Sequence, residues 1–198
     1  MSAVYSIPQL DDLQCQSLIN EIGYLDLNID KKVQYVMTKT NVSIQEALEY
    51  VVTENVVLWA KVYLNWECRD YQFPILEEGK KSLSLVLRLG RRLGKTSCIC
   101  ILILWHAYTQ RNKDPLKNIY EILIVTPYET QIDLIFKDLA ELVSNSPLMS
   151  SLVEKSVHHK YIFGNNTHIL GLTAGANNGS AGGNNSRGQA ADKECKIA

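Results

Sequence analysis

The chain has 198 residues, 46% of them hydrophobic and 21% charged, an ordinary globular composition that excludes a disordered tail, a coiled coil and a collagen-like fibre. Its 20 basic and 21 acidic residues give a net charge of −1, which excludes nucleic-acid binding driven by total charge and leaves only a local basic patch. The longest apolar run, Cys98–Trp105, is too short to span a membrane, no signal peptide is visible, and none of the five cysteines forms a C-x-x-C pair. We therefore expect a cytoplasmic protein with reduced thiols, without a membrane segment, a disulfide framework or a zinc site.

The first third of the sequence predicts helices. Asp11–Ile22 carries a ragged helical stripe of apolar residues. Ser43 and Glu46 have the spacing of a capping box, and the helix that they open is predicted to run to about Leu64. Because no residue of 1–65 carries obvious chemistry, we expect a helical N-terminal subdomain there, a lid or a docking element.

From residue 66 onward, strand and helix patterns alternate. Helices are predicted at Lys95–Tyr108 and Glu129–Val143. Short apolar strands are predicted at Ser84–Leu87, Tyr120–Thr126, Tyr161–Phe163 and Thr167–Leu172, the last two joined by a turn at 164–166. This alternation predicts an α/β fold with a largely parallel sheet. The Gly/Asn-rich segment that follows, 173–188, has the composition of a linker, whereas its position after a core strand favours a loop beside an active site.

A glycine-bearing basic turn stands between the first predicted strand and the apolar helix. Triphosphate binding needs converging N–H groups, a mobile cation and a hydroxyl for Mg²⁺, which such a turn, Lys95 and Thr96 would supply. The strict phosphate-loop spacing fails, because Leu89 stands where its first glycine belongs, but the flanking elements favour a nucleotide site over a coincidental basic turn. The residues expected to contact the nucleotide there are Gly90, Arg91, Arg92, Leu93, Gly94, Lys95, Thr96 and Ser97.

The charges around this turn agree with an anion site. Six cations lie within residues 80–95, and no acidic residue stands between Glu78 and Asp114. Because the run lies on a turn between two predicted buried elements, an anionic ligand explains it better than a solvated face does. The six are Lys80, Lys81, Arg88, Arg91, Arg92 and Lys95.

The doublet Arg91-Arg92 before Leu93-Gly94-Lys95-Thr96 resembles the variant Walker A motif of the large terminase subunits of tailed bacteriophages, whose shortened glycine spacing would account for Leu89. Asp70-Tyr71-Gln72 is similar to the adenine-recognising Q motif of that family. Residues 124–128, followed by Gln131 and Ile135-Phe136, are similar to its second strand and helix. Residues 172–175 and 186–192 are similar to the segment that leads into its Walker B strand. The resemblance covers about residues 66–198.

The resemblance implies a P-loop ATPase core of the ASCE type in residues 66–198, with ATP and Mg²⁺ as cofactors. Lys95 and Arg91 would act on the phosphates, Thr96 would hold Mg²⁺, and Tyr71 and Gln72 would stack on and read adenine. Arg187 would act as a catalytic arginine serving a neighbouring subunit.

The same resemblance implies a cellular role, the ATP-driven translocation of double-stranded DNA into a viral procapsid. The implied partners are DNA, further copies of the chain in a ring, the portal protein and the small terminase subunit, with no membrane. The implied location is the cytoplasm of the infected bacterial host, with transient docking on the procapsid.

Two alternative functions remain open, a helicase-like ATPase of superfamily 2, which shares the Q motif and the P-loop, and a nucleotide-binding fragment that does not hydrolyse ATP. No Asp-Glu pair for Walker B and no nuclease carboxylate cluster is found before Ala198, so we expect the chain to be part of a longer protein. Asp192 and Glu194 are a less favoured acidic pair, because no apolar run precedes them.

The remaining residues of interest are expected to have structural roles. The histidines lack metal-ligand spacing, so we expect a surface pair at His158 and His159 and a strand residue at His168. Cys98 and Cys100 are expected to pack in the core, as are the tryptophans at 59, 66 and 105.

Overall fold

The computed structural model describes residues 10–82, 84–109 and 119–174, and within these ranges the chain has a mixed α/β fold. The helices are α1 (Asp12–Ile22), α2 (Ile29–Thr40), α3 (Ile44–Glu54), α4 (Val56–Leu64), α5 (Phe73–Lys81), α6 (Lys95–Thr109), α7 (Glu129–Ser144) and α8 (Pro147–Leu152). The strands are β1 (Tyr120–Thr126), β2 (Val153–Val157), β3 (Lys160–Phe163) and β4 (Thr167–Thr173). The α/β prediction is confirmed at this level.

Side-chain caps start three of the four helices of the first third, α1, α3 and α4. In the predicted capping box of α3, the Ser43 hydroxyl accepts the Glu46 N–H at 3.2 Å and the Glu46 carboxylate accepts the Ser43 N–H at 3.0 Å. The prediction that this helix continues to Leu64 is wrong, because Asn55 leaves the helical conformation with φ −116° and ψ 107°. Its side-chain oxygen accepts the N–H groups of residues 57 and 58 and so starts α4 as a separate helix.

The strands form one sheet in the order β1-β4-β3-β2. β1 and β4 are parallel, whereas β4 with β3 and β3 with β2 are antiparallel. The prediction of a largely parallel sheet is therefore wrong for the described strands. The reason is that β3 connects to its neighbours through two short turns, at 158–159 and 164–166, and strands joined by such turns must run antiparallel. α7 and α8 lie in the connection that brings the chain from β1 to β4.

The strand predicted at Ser84–Leu87 is absent. Residues 84–90 pair with no strand of the described chain, and the Val86 side chain is 57% exposed. A β-strand forms hydrogen bonds with the N–H and C=O groups of a neighbouring strand. No strand of the described four-stranded sheet lies beside residues 84–87. The basic turn therefore follows an irregular segment that only half-buries Leu87 and Leu89 against the core.

Helix α6 lies at the centre of the core. It contacts α4, α5, α7 and β4, and apolar residues are buried all around it. The expected burial of the tryptophans is confirmed for Trp59 and Trp105, while Trp66 is half-buried against the same core. One continuous apolar cluster joins residues of α1 to α4 with residues of α6, α7 and the sheet. The domain boundary at 65/66 stays a prediction, and helices on both sides of it share this cluster.

Candidate nucleotide-binding turn and a histidine–carboxylate cluster

The Gly90–Gly94 turn changes direction sharply before α6 begins at Lys95. Two of its residues have left-handed backbone conformations, Arg92 with φ 65° and Gly94 with φ 69°. Glycine adopts this conformation without a Cβ penalty, whereas arginine does so at some cost. The sequence therefore places its glycine at the last residue before the helix, where the backbone must turn into the first helical residues.

The Lys95 ammonium group lies against the turn that precedes it. Its Nζ donates to the carbonyl oxygens of Leu89 at 2.6 Å and Gly90 at 2.8 Å. Both acceptors are neutral, and no carboxylate of the described residues forms an ion pair with Lys95, Arg91 or Arg92. Both arginines are exposed. The turn thus presents several uncompensated positive charges within six residues.

The start of α6 adds hydrogen-bond donors to the same place. The N–H groups of Lys95, Thr96 and Ser97 have no acceptor within the described ranges, as expected for the first turn of a helix. These groups and the positive end of the helix dipole favour an anion. The Thr96 side chain is exposed and the Ser97 side chain is half-buried, so the hydroxyl predicted to hold Mg²⁺ is accessible.

The structure brings Gln72 to this turn. Gln72 immediately precedes α5 and is only 5% exposed. Its Oε1 accepts the Arg69 N–H at 3.1 Å, and its Nε2 occupies the space that a Cβ on Gly94 would need. The neighbouring Tyr71 ring is 41% exposed, and its hydroxyl accepts the Arg69 guanidinium at 3.2 Å. The role of Tyr71 and Gln72 in adenine recognition stays a prediction.

The remaining predicted site residues fall into two groups. Arg187, Asp192 and Glu194 lie outside the described residues. Cys98 and Cys100 of α6 are fully buried, which confirms the packing role expected for them. Burial raises the pKa of the Cys98 thiol to about 11, so this cysteine remains a neutral thiol near pH 7 and is not a nucleophile for the adjacent turn.

A second group of polar side chains was not expected from the sequence. His158 and His159 form the turn between β2 and β3, and the structure places them beside Glu129 and Asp133 of α7. The 129/133 spacing puts two carboxylates on one helix face, but their approach to the histidines depends on how α7 packs on the sheet. His158 is exposed, as expected of a surface pair, whereas the side chain of His159 is only 14% exposed.

Comparison with known proteins gives no independent assignment. No protein-family model matches the chain, and no curated protein matches it. In the ranges that the structure describes, none of the helices combines the length and the apolar character needed to cross a bilayer.

Proposed function

We propose that the Gly90–Ser97 segment binds Mg·ATP and that the chain is the ATPase part of a DNA-packaging terminase large subunit. The observation that carries the proposal is the position of Lys95, which is the first residue of a buried helix and is held by the carbonyls of the turn before it. A lysine at this position, with free helix N–H groups and without an ion pair to any carboxylate of the described chain, has the chemistry that phosphate recognition requires.

The residues present fit a nucleotide triphosphate. Lys95 exchanges its two carbonyl acceptors for β- and γ-phosphate oxygens, and the first-turn N–H groups of α6 hold the same phosphates. Thr96 supplies the hydroxyl for Mg²⁺, and Arg91, exposed on the turn, reaches the γ-phosphate. Mg²⁺ neutralises charge that develops during phosphoryl transfer.

The finer assignment rests on the terminase-like order of the Q motif and the Arg91-Arg92 turn. In this role a ring of subunits translocates double-stranded DNA into a procapsid. The ring works with a portal protein and a small terminase subunit. Gln72 supports this assignment through its contact with Gly94, which joins the two motifs in space. Under this proposal, Arg187 from one subunit serves the nucleotide of the next.

Calorimetric titration of the 198-residue chain with Mg·ATP tests the nucleotide site. Lys95→Ala is expected to raise the Kd at least 10-fold, because a charge that faces the phosphates is removed. Lys39→Ala is the matched control: Lys39 is an exposed lysine of α2, outside the run of cations around the turn, and its removal should leave the Kd within twofold. Unchanged binding by Lys95→Ala would remove the phosphate-binding proposal.

Subunit mixing in the complete protein tests the role of the ring. Arg187→Ala subunits and Lys95→Ala subunits should each be inactive in ATP hydrolysis. A mixed ring contains sites in which an intact Lys95 faces an intact Arg187, so part of the activity should return. If rings assemble and no mixture recovers activity, Arg187 does not act between subunits. Stimulation of ATPase activity by duplex DNA separates the packaging motor from a nucleotide-binding module that does not hydrolyse ATP.

A further inference from the structure

We propose that the histidine turn between β2 and β3 and the first two turns of α7 together bind a divalent transition-metal ion of the Zn²⁺ type. One donor atom from each of Glu129, His158 and His159 lies within 4.8 Å of the other two. Asp133 adds a second carboxylate, whose Oδ1 lies 2.7 Å from Nε2 of His159 and 3.7 Å from Nε2 of His158. The donor groups therefore come from two separate elements and converge on one point.

The donor set indicates the class of ion. Two imidazoles and two carboxylates suit a borderline ion such as Zn²⁺, whereas Mg²⁺ and Ca²⁺ prefer oxygen ligands throughout and Cu⁺ prefers sulfur. Four donors around Zn²⁺ stand about 3.4 Å apart, as follows from tetrahedral bonds of about 2.0–2.1 Å. The observed separations require shifts of about 1 Å, and Glu129 and His158 are exposed enough to make them.

Packing and hydrogen bonds hold His159 in place. The His159 ring packs against Phe136 with ring centroids 5.5 Å apart, and its main-chain carbonyl accepts the Gly171 N–H at 2.8 Å. Its backbone adopts a left-handed conformation, φ 56°, which histidine tolerates better than most residues do. Oδ1 of Asp133 lies 2.7 Å from Nε2 of His159, and this hydrogen bond keeps the two donor groups side by side.

The packing of α7 fixes the backbone positions of the two carboxylate residues. Glu129 and Asp133 stand one helical turn apart on α7, and Ile132 and Phe136 of the same helix pack directly over Gly171 of β4. Because Gly171 also contacts His159, one glycine sets the distance between the carboxylates and the histidines. A groove of about 330 Å³ beside the cluster leaves it open to solvent, which suits an exchangeable ion rather than an enclosed structural one.

The competing explanation is an ordinary ion pair between Asp133 and a protonated histidine. That explanation accounts for the two Asp133 contacts but does not require Glu129 to approach both imidazoles from the opposite end of the helix turn. The two explanations predict different effects of a Glu129 substitution on the binding of added metal. The site is independent of the nucleotide proposal, since none of its residues belongs to the Gly90–Ser97 turn.

The test is a calorimetric titration of the full 198-residue chain with Zn²⁺ alone at pH 7.5. The wild type should bind one equivalent, and His158→Ala and Glu129→Gln should each raise the Kd at least 10-fold. Glu141→Gln, which changes an exposed carboxylate near the other end of α7, should leave the Kd within twofold. Circular dichroism in the absence of metal checks that each variant is folded, and both substituted side chains are exposed enough to be replaced without loss of the core.

Binding of Co²⁺ identifies the ligands, because thiolate ligation gives a strong near-ultraviolet absorption that imidazole and carboxylate ligation does not. The proposed site is supported if bound Co²⁺ gives a spectrum without thiolate absorption and if the spectrum of bound Co²⁺ is lost in His158→Ala. The proposal is overturned if the wild type does not bind Zn²⁺, if all variants bind it equally, or if the Co²⁺ spectrum shows thiolate ligands.

Discussion

The side chain of Gln72 occupies the space next to Gly94 that any larger residue at position 94 would need. This contact joins the segment before α5 to the turn before α6, although the two are 22 positions apart in sequence. Gln72 is buried, and its Oε1 accepts a hydrogen bond from the Arg69 N–H. Its amide therefore packs against the buried side of the turn, whereas the arginines of the turn are exposed to solvent.

Gly94→Ala should lower the free energy of unfolding by about 1–3 kcal/mol, because a Cβ would both strain the left-handed backbone, φ 69°, and collide with Gln72. Gly90→Ala is the matched control in the same turn. A Cβ there meets Leu93 Cδ1 at 3.4 Å, an ordinary contact, and the φ of Gly90 is not positive, so its effect should stay within about 0.5 kcal/mol. Urea denaturation measures both, and equal losses would contradict the described turn.

Gln72→Ala should also destabilise the chain, by about 1–3 kcal/mol, because the Arg69 N–H loses its acceptor and a space opens behind Gly94. Gln34→Ala, on the exposed face of α2, should not lower the free energy of unfolding measurably.

The predicted role of Gln72 in base recognition needs a second measurement on the same variant. At a temperature at which the variant is fully folded, Gln72→Ala should weaken the binding of ATP more than that of GTP, because an amide can pair with both the donor and the acceptor edge of adenine. Equal losses for the two nucleotides would assign Gln72 to the support of the turn alone.

Asn55→Ala should reduce stability by about 1–2 kcal/mol, because the two N–H groups at the start of α4 lose their common acceptor. Asn20→Ala, at an exposed position of α1, is the control and should not be destabilising. Thermal unfolding followed by circular dichroism compares the two. If Asn55→Ala were neutral, α3 and α4 would behave as the single helix that the apolar pattern predicts.

The local features of the fold were predictable from the sequence. The structure confirms the capping box at Ser43 and Glu46, the helices after the basic turn and after Thr126, and the β3–β4 hairpin. Each of these features depends on residues that are close together in the sequence. The sequence does not indicate the break at Asn55, because the apolar pattern continues through this residue. Only the cap geometry shows that a new helix starts there.

Features that depend on distant neighbours were not predictable in the same way. The apolar run 84–87 resembles a strand, but a strand exists only where another strand is adjacent, and none is adjacent in the described sheet. The contact between Gln72 and Gly94, and the approach of Glu129 to His158, arise from the packing of helices on one another and on the sheet. The positions of these residues in the sequence do not predict either contact. The sequence therefore predicts only an exposed pair of histidines.

Gly171→Ala is the most demanding test of how the histidine–carboxylate cluster is held together. A Cβ at this position would lie 2.6 Å from Ile132 Cγ2 and 2.8 Å from Phe136 Cε2, both on α7, and 3.2 Å from the Cβ of His159. The first two distances are too short for any real contact, so the Ile132 and Phe136 side chains must shift, and because both are packed against the core we expect α7 to move with them, at a cost of about 1–3 kcal/mol in the free energy of unfolding.

That movement should carry Glu129 and Asp133 away from the histidine turn, and so Gly171→Ala should weaken Zn²⁺ binding although it replaces no ligand. A double-mutant cycle with Ile132→Ala identifies the cause. Ile132→Ala alone is destabilising because it empties a buried site, but it removes the Cγ2 atom that a Cβ at 171 would strike. Gly171→Ala should therefore cost less in the Ile132→Ala background than in the wild type. Additive losses across the cycle, or unchanged Zn²⁺ affinity in a destabilised Gly171→Ala protein, would show that the spacing of α7 over β4 does not set the geometry of the cluster.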